Sequence, residues 1–186
     1  MRRAVSSAAL VIALSLTSRE ALAQDQRWIT FLSLRPMGGV GAVIPSSGSA
    51  SAEFAGDITA GLRIFRQRRD GRAWLIAPEV GFSPVTRFDD ITVLWHFGVA
   101  VGYGTVPLHV ALTPRFVVGA VGEREALGVR GGVLLTALAG LACAELSYQH
   151  LWTGDAREND VRLTVGVDAG MIAHVLVRSI SSLSRW

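Results

Sequence analysis

The segment ELSYQHLWTG, residues 145–154, gathers the residue types of a hydrolytic site. His150 is a candidate base, Ser147 and Thr153 offer hydroxyls, and Glu145, Asp155 and Glu158 offer carboxylates to orient the ring. Such chemistry needs the base within about 3 Å of the hydroxyl it activates. The segment alternates with the period of a strand, and side chains three apart on a strand point to opposite faces. Ser147 and Thr153 are therefore expected to face away from His150, and no hydrolase activity is expected. His96, His109 and His174 fall in separate segments without the close pairing of a zinc site, so neither a metal nor another cofactor is expected.

A second set of reactive groups follows a rule. Arg35, Asp57, Arg63, Glu79, His96, His109, Arg115, Arg130, Glu145, Arg162 and Asp168 all take the parity opposite to the apolar residues of their own segment. The stretch ITVLWHFGVAVGYG, residues 91–104, displays it: Ile91, Val93, Trp95, Phe97, Val99, Val101 and Tyr103 share one parity, while His96 and three glycines share the other. A half-buried strand of a soluble protein turns its apolar face inward and its charges to water. In a membrane-spanning barrel the arrangement reverses, with lipid outside and paired charges in a narrow lumen. Glu79, Arg115, Arg130 and Glu145 are expected to pair across that lumen, with His96 beside Glu79 or Arg115, leaving it largely plugged.

These residues need strands to hold them. Alternation places strands near residues 28–44, 53–66, 73–83, 90–104, 107–121, 126–137, 140–152 and 160–176. The expected fold is all-β, an eight-stranded antiparallel up-and-down transmembrane β-barrel. The turn at Arg69-Asp70-Gly71 suits a three-residue hairpin with glycine in the left-handed position. Connections are expected to alternate between short turns on one rim and longer loops on the other, and the longer set is expected at the cell surface. Pro78 and Pro114 each precede a charged inward residue, and β-bulges are expected there. Outward Trp28, Trp74 and Tyr103 are expected to form a girdle at one interface, and Phe54, Phe82 and Trp152 at the other.

Composition limits the alternatives. Half of the 186 residues are apolar, yet no run is long and uncharged enough for a spanning helix. Residues 1–23 read as a secretory signal peptide, with Arg2 and Arg3, the apolar core AALVIALSL and the small-x-small site Ala21-Leu22-Ala23. Residues 24–186 then form the barrel domain. The leader carries Arg2, Arg3, Arg19 and Glu20, so removing it leaves a near-neutral chain with no case for nucleic-acid binding. Cys143 stands alone, so no internal disulfide forms. The arginines at 66, 68, 69 and 72 crowd one turn and read as a solvated rim.

The leader, the eight alternating segments, the inward glycines and the charged belt resemble the small outer-membrane β-barrels of Gram-negative bacteria, similar to the OmpA membrane domain and OmpW families. The resemblance implies export to the outer membrane and a monomeric, structural or narrow-pore role with surface loops. It also implies contact with outer-membrane lipid, lipopolysaccharide and the barrel-assembly machinery. That machinery reads a terminal aromatic, which Trp186 matches, although Ser184 and Ser182 stand where apolar residues are usual. Residues 145–154 also resemble the strand of outer-membrane lipid A deacylases in which a histidine precedes the nucleophilic serine by two. Trp152 occupies that serine's place, so a lipid A-modifying hydrolase is only the alternative.

Overall fold

The computed structural model describes residues 22–23, 26–46, 49–87, 90–121, 123–154 and 156–183. The expected leader, apart from Leu22 and Ala23, lies outside these residues, as do Asp155 and Trp186. Eight antiparallel strands close on themselves: β1 (Gln26–Pro45), β2 (Ser51–Gln67), β3 (Arg72–Arg87), β4 (Asp90–Thr105), β5 in two pieces (His109–Leu112 and Arg115–Val121), β6 (Arg124–Ala137), β7 (Ala142–Thr153) and β8 (Ala156–Gly166). Helix α1 (Ala169–Leu183) follows.

The register fixes the shape. Stepping between paired residues from Ile29 through Phe65, Leu75, Gly102, Ala111, Leu134, Glu145 and Thr164 returns to β1 at Gly39. The sheet thus closes with a shear of ten residues, the step from 29 to 39. Eight strands with that shear tilt by roughly 40° and leave an interior that side chains can fill. Alternate residues along each strand face in and out. Trp95 and Phe97 are about half exposed, while His96 between them is fully buried.

The inward glycines make room for large neighbours. A β-carbon on Gly81 would sit 2.6 Å from the His96 ring, and one on Gly98 would sit 2.9 Å from Cγ of Arg115. The glycine parity of residues 91–104 is therefore the lumen side, with its volume given to side chains from adjacent strands.

At the rim holding the 68–71 turn, Arg68 and Arg72 close a three-residue loop with Gly71 at φ +81°, as expected. The opposite rim differs from the expectation. Strands β3, β6 and β8 run on through residues expected to form loops, so the links around 88–89, 122–123 and 154–155 are short. Connection lengths no longer distinguish the two rims, and extended surface loops are absent among the described residues.

The expected bulges at Pro78 and Pro114 are absent too. Val101 pairs with Leu112 and Gly98 with Arg115, three residues along each strand, so no residue is inserted at Pro114. The pairs Ile64 with Ile76 and Gly61 with Glu79 show the same at Pro78. Proline removes a donor without shifting register, and neighbouring bonds from Thr113 N–H to Gly132 and from Val99 N–H to the Pro114 carbonyl bridge the gap. Ordinary alternation aims Glu79 and Arg115 inward.

The largest departure lies at the end. Strand β8 stops at Gly166, opposite Met37, and the expected extension to 176 is helical. Asp168 explains the switch. Its Oδ1 accepts the Met171 N–H at 3.0 Å, an N-cap that satisfies a free donor of the first turn. Buried Met171 and His174, with partly buried Val175 and Arg178, recur at helical spacing. The helix packs on the lower part of β1 and on the turn after β6, and His174 stacks on Phe31 with centroids 4.8 Å apart.

Gly170 is the point of closest approach, since a β-carbon there would overlap the Leu32 carbonyl. Gly170→Leu is expected to unseat the helix while leaving the sheet closed. Limited trypsin digestion should then cut at Arg178 at least tenfold faster than in the wild type. Unchanged cleavage would mean that the helix does not depend on this contact.

Candidate functional site: the charged lumen

The lumen is layered. Near the rim of the 68–71 turn, Ile29, Phe31, Phe65, Leu75 and Met171 form an apolar floor, with Phe31 and Phe65 stacked at 5.9 Å. Toward the other rim Leu94, Val117, Ala126 and Leu151 form a smaller apolar cluster. Between them five buried arginines (35, 63, 115, 130, 162) meet six buried carboxylates (Glu53, Asp57, Glu79, Glu145, Asp160, Asp168), none more than 6% exposed. Burial at this depth is tolerable only when the charges satisfy one another.

Arg115 is the hub. Its Nη1 donates to Glu145 Oε1 at 2.7 Å, and its Nη2 to Glu145 Oε2 at 3.0 Å and Glu79 Oε2 at 3.2 Å. Glu79 also accepts from Arg35, and Thr113 donates its hydroxyl to Glu145 at 3.1 Å. The chain Arg35–Glu79–Arg115–Glu145 thus joins β1, β3, β5 and β7 across the interior.

Below it, Arg63 lies 3.2 Å from Asp168 and donates to His109 Nε2 at 3.1 Å, while Ser33 donates to Asp168 at 2.7 Å. Asp168 therefore caps the helix with one oxygen and holds the barrel wall with the other.

Above the hub, Asp57 accepts from Arg130 at 2.7 Å and from Ser83 at 2.9 Å, and His96 stands 3.4 Å from it. Arg130 also donates to Gln149 at 2.9 Å. At the upper end Arg162 holds Glu53 at 2.7 Å and pairs with Asp160.

All eleven residues of the expected inward set, His109 among them, are buried in the interior. The expected pairing of Glu79, Arg115 and Glu145 is present. Arg130 turns to Asp57 instead, because it sits directly opposite Arg115 on the neighbouring strand and like charges part. His96 likewise meets Asp57, and not Glu79 or Arg115. Glu53 and Asp160 were missed, although both share the inward parity of their strands. Each is the first residue of its expected segment, 53–66 and 160–176, where the alternation has only begun; the observed strands start earlier, at Ser51 and Ala156.

The girdle residues point outward, with Trp74 and Tyr103 in contact at 5.0 Å and Arg66 over the Trp28 ring at 5.7 Å. The hydrolase candidates separate as parity demands. Ser147 and Thr153 are buried inside, while His150 faces out and its Nδ1 meets Asn159 Oδ1 at 2.7 Å. No cluster of three or more His, Cys, Asp or Glu residues able to hold a metal occurs among the described residues.

No known protein-family profile matches the chain, and no curated protein matches it. Among solved structures it is similar to Neisserial surface protein A (NspA), with 16% identity and a TM-score of 0.36 over 73% of this chain and 96% of that one. It is also similar to Ail, the attachment invasion locus protein of Yersinia pestis, with 10% identity and a TM-score of 0.28 over 78% of this chain and 99% of that one. The decisive features are in the chain itself. A closed sheet presents Val80, Trp95, Phe97, Leu112, Phe116 and Leu146 outward, each about half exposed, and encloses paired charges. This is a closed eight-stranded antiparallel β-barrel, apolar outside and charged within, the arrangement of a transmembrane barrel.

Proposed function

We propose that this chain is an integral outer-membrane protein whose lumen is closed by its own ion pairs, a structural barrel and not an open pore or an enzyme. The observation that carries this is the Arg35–Glu79–Arg115–Glu145 chain spanning the interior with every member buried. The apolar outer surface supports the membrane setting, because so wide an exposed apolar band would be costly in water. Against a hydrolase stands the amide partner of His150, where a triad would place a carboxylate, together with hydroxyls on the wrong face.

The strand count supports one orientation. Eight strands bring the start of β1 at Gln26 and helix α1 to one rim, that of the arginine-rich turn. A chain inserted from the periplasm keeps that rim there, since carrying helix α1 with Arg178 through hydrocarbon would be costly. The protein is expected in the outer-membrane fraction and to migrate differently on gels before and after boiling. In a Cys143→Ser background, a cysteine at Ser49 should react with an impermeant maleimide on whole cells, and one at Asp70 only after lysis. Labelling at Asp70 alone would invert the topology, and recovery in a soluble fraction would refute the membrane reading.

A further inference from the structure

The outward face of β7 and β8 departs from the apolar rule in one place. Tyr148, His150 and Trp152 on β7 share that face with Arg157 and Asn159 on β8, where His150 pairs with Asn159 and Trp152 with Arg157. Asn159 Oδ1 accepts the Tyr148 hydroxyl at 2.6 Å and meets His150 Nδ1 at 2.7 Å. Trp152 packs edge-on to His150 at 4.6 Å. His150 lies three residues before the end of β7, roughly 10 Å along the strand at about 3.3 Å per residue. The cluster therefore sits where hydrocarbon gives way to headgroups.

A groove begins at the foot of this cluster. It has a volume of about 570 Å³, is lined by Leu112, Gly131, Val133, Leu146, Tyr148 and Val161, and is almost wholly apolar. Its floor is low because Gly131 has no side chain, and a β-carbon placed there would meet nothing within 4 Å. Tyr148 belongs to both features, with its ring on the groove wall and its hydroxyl in the polar cluster.

We propose that this is a lipid site for a phosphorylated glycolipid of the leaflet at this rim, with one acyl chain in the groove and the headgroup on the cluster. The assignment rests on the membrane reading above. An acyl chain suits the groove because the groove is continuous with the lipid-facing surface. The headgroup chemistry follows from the donors. With its oxygen taken by Tyr148 and His150, Asn159 offers its amide N–H groups to a hydroxyl or phosphate, and His150, which donates from Nδ1 to that oxygen, keeps Nε2 to accept from a hydroxyl. Arg157 supplies the charge for a phosphate, and the Trp152 ring gives a sugar an apolar face to rest on. A glycerophospholipid would use the arginine but leave the ring and amide idle, so a sugar-bearing headgroup fits the set better.

The test uses the full mature chain, folded in micelles and checked by its unboiled gel mobility. Native mass spectrometry then counts bound lipid after incubation with lipid A, a bis-phosphorylated glucosamine lipid, or with phosphatidylglycerol. Lipid A should be retained at least tenfold better than phosphatidylglycerol. Gly131→Leu, which fills the groove, and Asn159→Ala should each cut that retention about tenfold, and Arg157→Gln should cut it while leaving dephosphorylated lipid A unaffected. Equal retention of the two lipids, or retention unchanged in Gly131→Leu and Asn159→Ala, would overturn the site. Failure of the wild type to insert into phosphatidylcholine vesicles would instead overturn the membrane reading, a separate readout.

Discussion

Replacing Arg115 with alanine is expected to destabilise the barrel by about 3 to 5 kcal/mol, because it strands buried acids. Arg115 is the sole basic partner of Glu145 among the ion pairs described, and it shares Glu79 with Arg35. Its side chain is fully buried, so solvent screening does little to soften the loss. Reversible urea unfolding from phosphatidylcholine vesicles, followed by tryptophan fluorescence, measures the change. Adding Glu145→Gln should restore more than half of it, since the stranded charge is then gone. Arg115→Lys should recover only part, because one ammonium cannot reproduce the fork that reaches both Glu145 oxygens and Glu79. A loss below about 1 kcal/mol would mean that water enters the lumen and solvates these groups.

Asp168→Ala should cost about as much, again roughly 3 to 5 kcal/mol, by a different route. The substitution removes the helix cap, at about 1 kcal/mol, and takes the carboxylate away from buried Arg63. Asp168→Asn keeps an oxygen for the cap and loses only the charge, so it should be the milder variant and should retain the helical signal in circular dichroism. If alanine and asparagine behave alike in both stability and helicity, the dual role of Asp168 is wrong.

Much of this fold could be read from parity alone. Strict alternation over long segments placed all eight strands and put every belt residue on the lumen side, because a one-residue slip would drive charges into lipid. What parity could not supply was partner choice. Arg115 and Arg130 are equally inward, and only their cross-strand opposition sends one to Glu145 and the other to Asp57. Parity also failed past Gly166, where VDAGMIAHVL alternates well enough for a strand and yet carries an Asp cap followed by a 3–4 spacing of buried residues. Two periodicities overlap there, and the buried Asp168–Arg63 contact favours the helix. The expected loops are too long for a related reason: charged residues such as Arg87, Arg124 and Glu125 read as loop, but at a barrel rim they can sit on strands whose ends reach water.

Conductance across a planar bilayer tests the central claim most directly. With the ion-pair chain intact, the reconstituted wild-type barrel should pass almost no steady current, and Arg115→Ala with Glu145→Gln should raise conductance by at least severalfold by opening the middle of the lumen. Large, steady single-channel currents from the wild type, unchanged in that double variant, would contradict a lumen closed by Arg35, Glu79, Arg115 and Glu145.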